Sequence, residues 1–284
     1  MARIAYVNGS YVTIDTPAVG IEDRGFQFAD GIYEVWLVRD GMFLDHAGHM
    51  ARLKRSLAEL RIAMPMSEAA LDVALRETLR RNRLSDALVY LQVTRGVAKR
   101  DHAFPVKPVR PTLIITARPA PPAPVAARAE TGIGVITQPD IRWKRCDIKS
   151  ISLLPNVLAK QAAKEAGAFE AWLVNEAGEV TEGSSSNAWI VTGEGALVTR
   201  PAGPEILNGI TRQRIIRIAA AQGLRLEERA FTLEEAFAAR EAFVSSASSM
   251  VMPVVTIDGR PVANGAPGSL AGALRASYEA GAEA

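Results

Sequence analysis

The sequence has one cysteine, Cys146, and only three histidines among its 284 residues. A single cysteine excludes an internal disulfide and a zinc site built from cysteines. His46 and His49 are close enough in sequence to suggest a metal pair, but two ligands without a third do not make a metal site. The remaining histidine, His102, is distant in sequence. We therefore expect no bound metal.

Long hydrophobic runs and a strong charge of one sign are also missing. No stretch of about 18 apolar residues occurs, and the N-terminus lacks the apolar core of a signal peptide. The 33 basic and 31 acidic residues give a net charge of +2, which is no electrostatic footprint for nucleic acid. These absences predict a cytoplasmic protein that binds neither membranes nor nucleic acid.

The length predicts two domains, at roughly 100–200 residues each. We place an N-terminal domain at residues 1–118, a linker at 119–125 and a C-terminal domain at 126–284. We assign the linker from the segment PAPPAPVAA at 119–127, because its prolines cannot pair within a strand and favour an extended backbone.

Strand-like and helix-like segments mix without strict alternation, which predicts a mixed α/β (α+β) fold and not a simple doubly wound sheet. The predicted strands are a hairpin around Asn8-Gly9 and residues 32–38, 87–96, 110–119, 132–137, 171–175, 188–192, 241–246 and 252–258, with a short strand MFLD after Asp40-Gly41. The predicted helices cover residues 46–60, about 67–82, 155–167, the segment from GITR (209–212) to Gly223, and the tail from Ser269. The segment TEGSSSN (181–187) is predicted to be a loop.

The sequence has seven lysines, and one of them, Lys149, lies in an apolar neighbourhood just before a predicted helix. Most lysines in such places are simply solvated. The functional interpretation is a partly desolvated amine that acts as a Schiff-base nucleophile.

Two further segments combine groups that could hold a cofactor. Glu182 stands beside three serines and an asparagine, which makes either an ordinary polar connection or a site for a ring nitrogen or a phosphate. Gly209, Ile210 and Thr211 open a helix, and the free amides of a helix start bind phosphate, although by itself the segment is better explained as an ordinary capped helix start.

A basic segment, TRGVAKRDHAFP at 94–105, could bind an anion. Arg100 and His102 suit a substrate carboxylate, and the alternative is a solvated basic turn. An amine, an acid, a helix start and an anion site together describe a pyridoxal-phosphate enzyme, although their spacing alone does not establish one.

The whole chain resembles the fold-type IV pyridoxal-phosphate aminotransferases, and most closely the bacterial D-amino acid (D-alanine) aminotransferases. The resemblance is carried by EDRGFQFADGIYEV (22–35), HMARL (49–53), TRG…RDHAFP (94–105), DIRWKRCDIKS (140–150), LLPNVLAKQ (153–161), TEGSSSN (181–187) and LNGITR (207–212). It implies a smaller N-terminal α/β domain, a larger C-terminal mixed β/α domain and pyridoxal 5'-phosphate as the cofactor.

The resemblance also implies roles for individual residues. Lys149 matches the catalytic lysine that forms the Schiff base and moves the substrate proton, and Glu182 matches the carboxylate on the pyridine nitrogen. The other cofactor-binding residues are Arg52, Ile210 and Thr211 at the phosphate, Ser186 and Asn187 in the cofactor loop, Leu207 on the ring, and Ser246 and Ala247 in a second phosphate loop.

The substrate α-carboxylate is expected to bind Tyr33, Arg100 and His102, the last two supplied by the neighbouring subunit of a homodimer. Two positions depart from the family pattern: Ala29 stands where glycine is usual, and Ala247 stands where the phosphate loop is often rich in threonine. Ala247 offers the phosphate only its backbone N–H.

The expected reaction moves the amino group of a D-amino acid, such as D-alanine or D-glutamate, to a 2-oxo acid such as 2-oxoglutarate or pyruvate. Three alternatives share the fold: an (R)-selective amine transaminase, a branched-chain L-aminotransferase and an aminodeoxychorismate lyase. A non-catalytic member is the alternative from another class, and the intact Lys149 argues against it.

Overall fold

The computed structural model describes residues 3–16 and 18–281, which belong to two compact units. The first unit is Met1–Pro121 with Ile148–Ser152, and the second is Pro122–Asp147 with Leu153–Ala284. The strands are β1 (Ile4–Val7), β2 (Ser10–Thr13), β3 (Gly31–Arg39), β4 (Met42–Phe43), β5 (Ala87–Thr94), β6 (Thr112–Pro119), β7 (Ile133–Pro139), β8 (Glu170–Val174), β9 (Val180–Gly183), β10 (Asn187–Val191), β11 (Leu197–Thr199), β12 (Leu226–Glu228), β13 (Glu241–Ser246), β14 (Met250–Ile257) and β15 (Arg260–Pro261). The helices are α1 (Arg24–Phe28), α2 (His46–Glu59), α3 (Glu68–Asn82), α4 (Pro122–Thr131), α5 (Leu154–Glu165), α6 (Ile210–Ala221), α7 (Leu233–Phe237) and α8 (Ser269–Ala280).

The first unit is built on an antiparallel sheet in the order β2-β1-β6-β5-β3-β4. The predicted hairpin is confirmed, since Asn8 and Gly9 take the positive φ values, 50° and 106°, that its tight turn needs. Helices α2 and α3 bury Leu53 and Leu75 in the same core as Trp36 of β3. This core fixes β3, the strand that carries the predicted site residue Tyr33.

Lys149 is attached to the open edge of β3. Strand β4 pairs only with the end of β3, so the edge near Tyr33 is available to another segment. The Tyr33 amide donates to the Lys149 carbonyl at 3.0 Å, and the Ile151 amide donates to Gly31 at 3.1 Å. The structure therefore groups Lys149 with the first unit, whereas the sequence analysis placed it in the C-terminal domain. The predicted domain boundaries themselves stay a prediction.

The second unit is built on a mixed sheet in the order β12-β11-β10-β13-β14-β7-β8-β9, with β15 on β14. The pairs β14–β7, β7–β8 and β11–β12 are parallel, and the others are antiparallel. The fully buried Trp172, Trp189 and Phe243 lie on its central strands. The mixed α/β class is confirmed in both units.

The proline-rich segment is helical, and the expectation of an extended linker there is wrong. Pro122 begins α4, and Pro124 lies in its first turn. The first four amides of a helix have no partner within it, so proline there loses no hydrogen bond, and its fixed φ suits a helix start. Composition alone could not separate the two outcomes.

A second correction concerns the segment 181–187, which is only partly a loop. Its first three residues, including Glu182, belong to β9, where every residue is buried. The short elements α1, α7, β11, β12 and β15 were also not predicted. Within the described residues, no helix is long and apolar enough to cross a membrane.

Ala29 ends α1 with φ 54° and ψ 29°. This left-handed backbone costs an alanine roughly 1–2 kcal/mol, whereas glycine loses about 0.5–1 kcal/mol to the freedom of the unfolded chain. We expect A29G to raise the free energy of unfolding by about 0.5–1 kcal/mol in urea titrations. The matched control is A238G at the right-handed cap of α7 (φ −85°), which should lower it. Equal effects of the two substitutions would contradict the strain argument.

Candidate active site

The Lys149 amine lies over an aromatic ring and not beside an acid. Its Nζ is 4.1 Å from the centre of the Tyr33 ring, which stacks on Tyr90 at 5.7 Å. Burial and the neighbouring Tyr33 raise the pKa of Tyr90 to about 12, so Tyr90 is neutral at pH 7. Among the described residues, no hydrogen bond or ion pair engages the Lys149 amine. It is therefore available to react.

Arg52 belongs to a buried charge cluster with Glu34 of β3. Its Nε and Nη2 donate to the two Glu34 carboxylate oxygens at 2.7 and 2.9 Å, and His49 Nδ1 lies 2.9 Å from Glu34. Burial alone would raise the pKa of Glu34, but Arg52 and His49 outweigh it and lower the pKa to about 2. The ionised Glu34 therefore fixes the orientation of Arg52, the predicted phosphate residue.

Arg100 and His102 lie on the irregular segment between β5 and β6, which we call the carboxylate loop (residues 95–111). Both side chains are exposed. They share one neighbour, Phe28: the Arg100 guanidinium is 5.1 Å and the His102 ring 5.5 Å from its ring centre. Within the described chain, no hydrogen bond, ion pair or ring contact joins either of them to Tyr33 or Lys149.

Glu182 is held on β9 with 6% of its surface exposed. Its carboxylate accepts hydrogen bonds from the Leu207 amide at 3.1 Å, from Asn187 Nδ2 at 3.0 Å and from Arg142. Arg142 also pairs with Asp140 at 2.7 Å. Burial raises the pKa of Glu182 to about 7, although Arg142 and the Leu207 amide act against it. Three predicted residues, Glu182, Asn187 and Leu207, are thus in direct contact.

The three serines of the cofactor loop are fixed by one buried carboxylate. Ser185 and Ser186 donate to Glu170 Oε2 at 2.7 and 3.1 Å, and Ser184 donates to Oε1. Glu170, on β8, is 1% exposed. The Ser186 hydroxyl therefore orients the loop by its contact with Glu170.

The predicted helix start at residues 209–211 is confirmed as the start of α6. Among the described residues, no side chain caps it. Gly209 is its N-cap and has no side chain, and a Cβ there would lie 2.2 Å from Asn187 Oδ1. Ile210 and Thr211 follow and are both buried. In the part of the chain that the structure describes, the Thr211 hydroxyl has no hydrogen-bond partner. An anion could therefore bind its hydroxyl and the first amides of α6.

Ser246 and Ala247 form the turn between β13 and β14. Ser246 Oγ accepts a hydrogen bond from the Ser249 amide at 3.2 Å and lies 3.3 Å from Ser248 Oγ. The hydroxyl of Ser246 thus stabilises the turn, and Ala247 contributes backbone alone.

Five residues that orient the predicted ones were not predicted from the sequence: Glu34, His49, Asp140, Arg142 and Glu170. A signal for Glu34 was present, since it interrupts the apolar run IYEVWLV in which a buried charge needs a partner. Asp140 and Arg142 lie in the quoted segment DIRWKRCDIKS. Nothing in the sequence marks Glu170, because its serine partners are 14 to 16 residues away.

The residues present fit pyridoxal 5'-phosphate. Lys149 has an amine without a polar partner, Glu182 has a buried carboxylate, and Thr211 has an unpartnered hydroxyl at a helix start. By contrast, no group of three or more metal-binding side chains occurs in residues 3–16 and 18–281.

Comparisons with known proteins agree with this chemistry. The sequence matches the family described as Amino-transferase class IV over residues 31–257. The D-alanine aminotransferase of Bacillus licheniformis is 43% identical over 263 residues, 93% of this chain and 91% of that protein. That of Staphylococcus haemolyticus is 39% identical over 96% of this chain and 95% of that protein.

Among solved structures, the T.th. branched-chain amino acid aminotransferase with pyridoxamine 5'-phosphate matches with a TM-score of 0.89. It is 25% identical, and the match covers 99% of this chain and 94% of that one. This fold and these relatives are those of enzymes that move amino groups between small amino acids and oxo acids. The chain belongs to the class IV aminotransferases.

Proposed function

We propose that this chain is a pyridoxal-phosphate-dependent D-amino acid transaminase, which moves the amino group of a D-amino acid such as D-alanine or D-glutamate to 2-oxoglutarate or pyruvate. The observation that carries the proposal is the Lys149 amine, which has no acid partner and lies over the ring of Tyr33. The D-amino acid part is supported by the two D-alanine aminotransferases to which the chain is similar.

Lys149 and Glu182 carry the chemistry. When bound, the cofactor supplies a ring that accepts the electrons released as the substrate Cα proton leaves. Lys149 anchors the cofactor, and its amine then takes the Cα proton as general base and returns it as general acid. Glu182 keeps the pyridine nitrogen protonated, so that the positive charge stays where electrons are to be received.

The phosphate is held by a guanidinium, by the amides of a helix start, by a hydroxyl and by a turn. Arg52 supplies charge from the orientation that Glu34 fixes, and Ile210 and Thr211 supply the first amides of α6 and an unpartnered hydroxyl. Ser246 and Ala247 supply a turn in which Ala247 can offer only its N–H. The helix start and Arg52 therefore contribute most of the binding.

Asn187, Leu207 and Ser186 position the ring. Asn187 and the Leu207 amide hold the Glu182 carboxylate in place, and the Leu207 side chain would contact the cofactor ring when the cofactor is bound. Ser186 lines the cofactor loop in the orientation set by its hydrogen bond to Glu170.

Tyr33, Arg100 and His102 hold the substrate α-carboxylate, and the functional unit is a homodimer. Arg100 and His102 are exposed, and in the described chain no hydrogen bond, ion pair or ring contact joins them to Tyr33 or Lys149; both facts support their supply by the neighbouring subunit. The position of the carboxylate selects the enantiomer, since the mirror-image substrate would place its side chain there.

The test adds D-alanine and L-alanine to separate portions of the cofactor-loaded protein. We expect D-alanine alone to release pyruvate and to bleach the visible absorbance of the cofactor. Release by L-alanine alone would overturn the D-amino acid assignment and favour a branched-chain type of activity. If neither reacts, primary amines and aminodeoxychorismate become the next substrates to test.

A further inference from the structure

Arg24 is a buried arginine, 3% exposed, whose guanidinium contacts the backbone of the carboxylate loop. Its Nη1 donates to the carbonyls of Asp101 at 2.6 Å and Ala103 at 3.3 Å, and its Nη2 donates to the carbonyl of His102 at 3.3 Å. One side chain thus holds three consecutive carbonyls, and these begin directly after Arg100.

Beyond its first residues, the carboxylate loop has little else to fix it. Near the start of the loop, the Gly96 carbonyl accepts a hydrogen bond from the Arg24 amide at 2.9 Å. The Ala98 amide donates to the Glu22 carbonyl at 3.2 Å. Over residues 99–111, all of which the structure describes, the three bonds from Arg24 are the only hydrogen bonds to another part of the chain. The orientation of Arg100 and His102 therefore depends on this guanidinium.

Arg24 is itself fixed by a second pair of charges. Its Nε donates to Asp30 Oδ2 at 2.8 Å. Arg95 donates to both oxygens of the same carboxylate, at 2.7 and 3.0 Å, and to the carbonyls of Leu60 and Arg61 at the end of α2. A charged group with several fixed partners keeps one position, since burying it unpaired would be costly.

Ring contacts join the same groups. The Arg24 guanidinium lies 4.8 Å from the centre of the Phe28 ring, which is the ring that Arg100 and His102 also contact. Arg95 lies 3.6 Å from the centre of the Phe104 ring, further along the loop. Backbone and side chains of the loop are thus both held against Arg24 and its neighbours.

We propose that Arg24 is a positioning residue that orients Arg100 and His102 of the carboxylate loop toward the substrate α-carboxylate. This inference rests on the proposed function, because it assumes that the loop binds that carboxylate. Arg24 itself does not touch the substrate. A displacement of about 1 Å at a binding group can lower a rate by about 10²-fold, so loss of this support has a measurable effect.

The test is a double-substitution cycle on the cofactor-loaded enzyme with D-alanine as substrate. We expect R24M to lower kcat/KM by about 10- to 100-fold, mainly through KM, because it misplaces groups that bind the carboxylate. In the R100M background, the same substitution should lower kcat/KM by a clearly smaller factor, since the part of its effect that acts through Arg100 is already lost and only the part through His102 remains. If R24M lowered kcat/KM by the same factor in the parent enzyme and in R100M, the two residues would act independently and the proposal would be wrong.

The matched control is R39M. Arg39 is a half-buried arginine of the same unit that donates to the carbonyls of Val38 and Ala120, away from the loop. It should leave KM unchanged. If R39M raised KM as much as R24M does, Arg24 would be a general structural residue and the proposal would be wrong.

A second variant, R24K, and a second measurement, cleavage by trypsin, test the proposal in case R24M does not fold. R24K keeps a charge opposite Asp30 but cannot reach three carbonyls, so it carries the test if R24M does not fold. Trypsin should cut R24K after Lys99 or Arg100 faster than the parent enzyme; equal cleavage together with an unchanged KM would overturn the proposal. An active parent with these negative results contradicts only this inference, whereas a parent inactive on D-alanine contradicts the proposed function.

Discussion

Replacing Lys149 with alanine is expected to lower the rate of D-alanine transamination by at least about 10⁴-fold, because one side chain both anchors the cofactor and moves the proton. The amine has no acid partner and lies 4.1 Å from the Tyr33 ring centre, so no neighbouring group can replace it. Pyruvate release from D-alanine, with 2-oxoglutarate as acceptor, measures the loss.

A covalent readout tests the anchoring separately from the rate. Borohydride reduction of the loaded protein should attach the cofactor to the peptide that contains Lys149, and mass spectrometry should find no such adduct in K149A. The matched control is K54A, because Lys54 is an exposed lysine of the same unit that pairs with Glu68 at 2.8 Å. K54A should keep full activity. An adduct on a lysine other than Lys149 would refute the assignment.

The elements that the sequence predicts well are those in which local pattern and tertiary packing agree. The turn of the first hairpin is predicted by two adjacent residues, Asn8 and Gly9, which readily adopt positive φ. Helix α3 begins after Ser67, whose side chain accepts a hydrogen bond from the Ala70 amide as a helix cap does. The same holds for β13, whose run EAFVSS is apolar or small after its first residue. Such signals need no knowledge of distant residues.

Where prediction failed, the deciding partner was distant or the composition was ambiguous. The polar segment around Glu182 reads as a loop, yet it is a buried strand because Arg142, 40 residues away, offsets its charge. The start of α4 has the composition of an extended linker, but its prolines also fall in the first turn, where a helix tolerates them.

The supports of the active site were the hardest part to foresee. Asp30 binds Arg95 across 65 residues, and Arg24 reaches carbonyls 77 to 79 residues away. The segments that contain these residues are recognisable in the sequence, but nothing in the sequence indicates that the segments contact each other. The sequence therefore offers candidates for the reactive residues, whereas it does not mark the residues that orient those candidates.

Replacing Glu182 with glutamine is expected to lower kcat by about 10²–10³-fold, a typical loss when a fixed group that stabilises developing charge is removed. Glutamine keeps the shape and can still accept from the Leu207 amide, but it carries no negative charge to hold a proton on the pyridine nitrogen. The matched control is E241Q. Glu241 is also buried and accepts from two backbone amides, of Leu270 and Ala271, yet it lies outside the candidate site. E241Q should leave kcat unchanged, and an equal loss in both variants would contradict the role of Glu182.

The pH dependence gives Glu182 an independent signature. Burial raises the pKa of its carboxyl to about 7, so the group is protonated at acidic pH and becomes the required carboxylate only as the pH rises. Cofactor binding by the parent protein should therefore increase with pH through about 7, and kcat of the loaded enzyme should also increase with pH, while E182Q, which has no carboxyl to titrate at position 182, should show neither step. Because a cationic ring nitrogen favours the carboxylate, the step should lie at lower pH in the loaded enzyme than in the cofactor-free protein. A step of the same size and position in parent and E182Q would assign it to another group and remove Glu182 from the ring nitrogen.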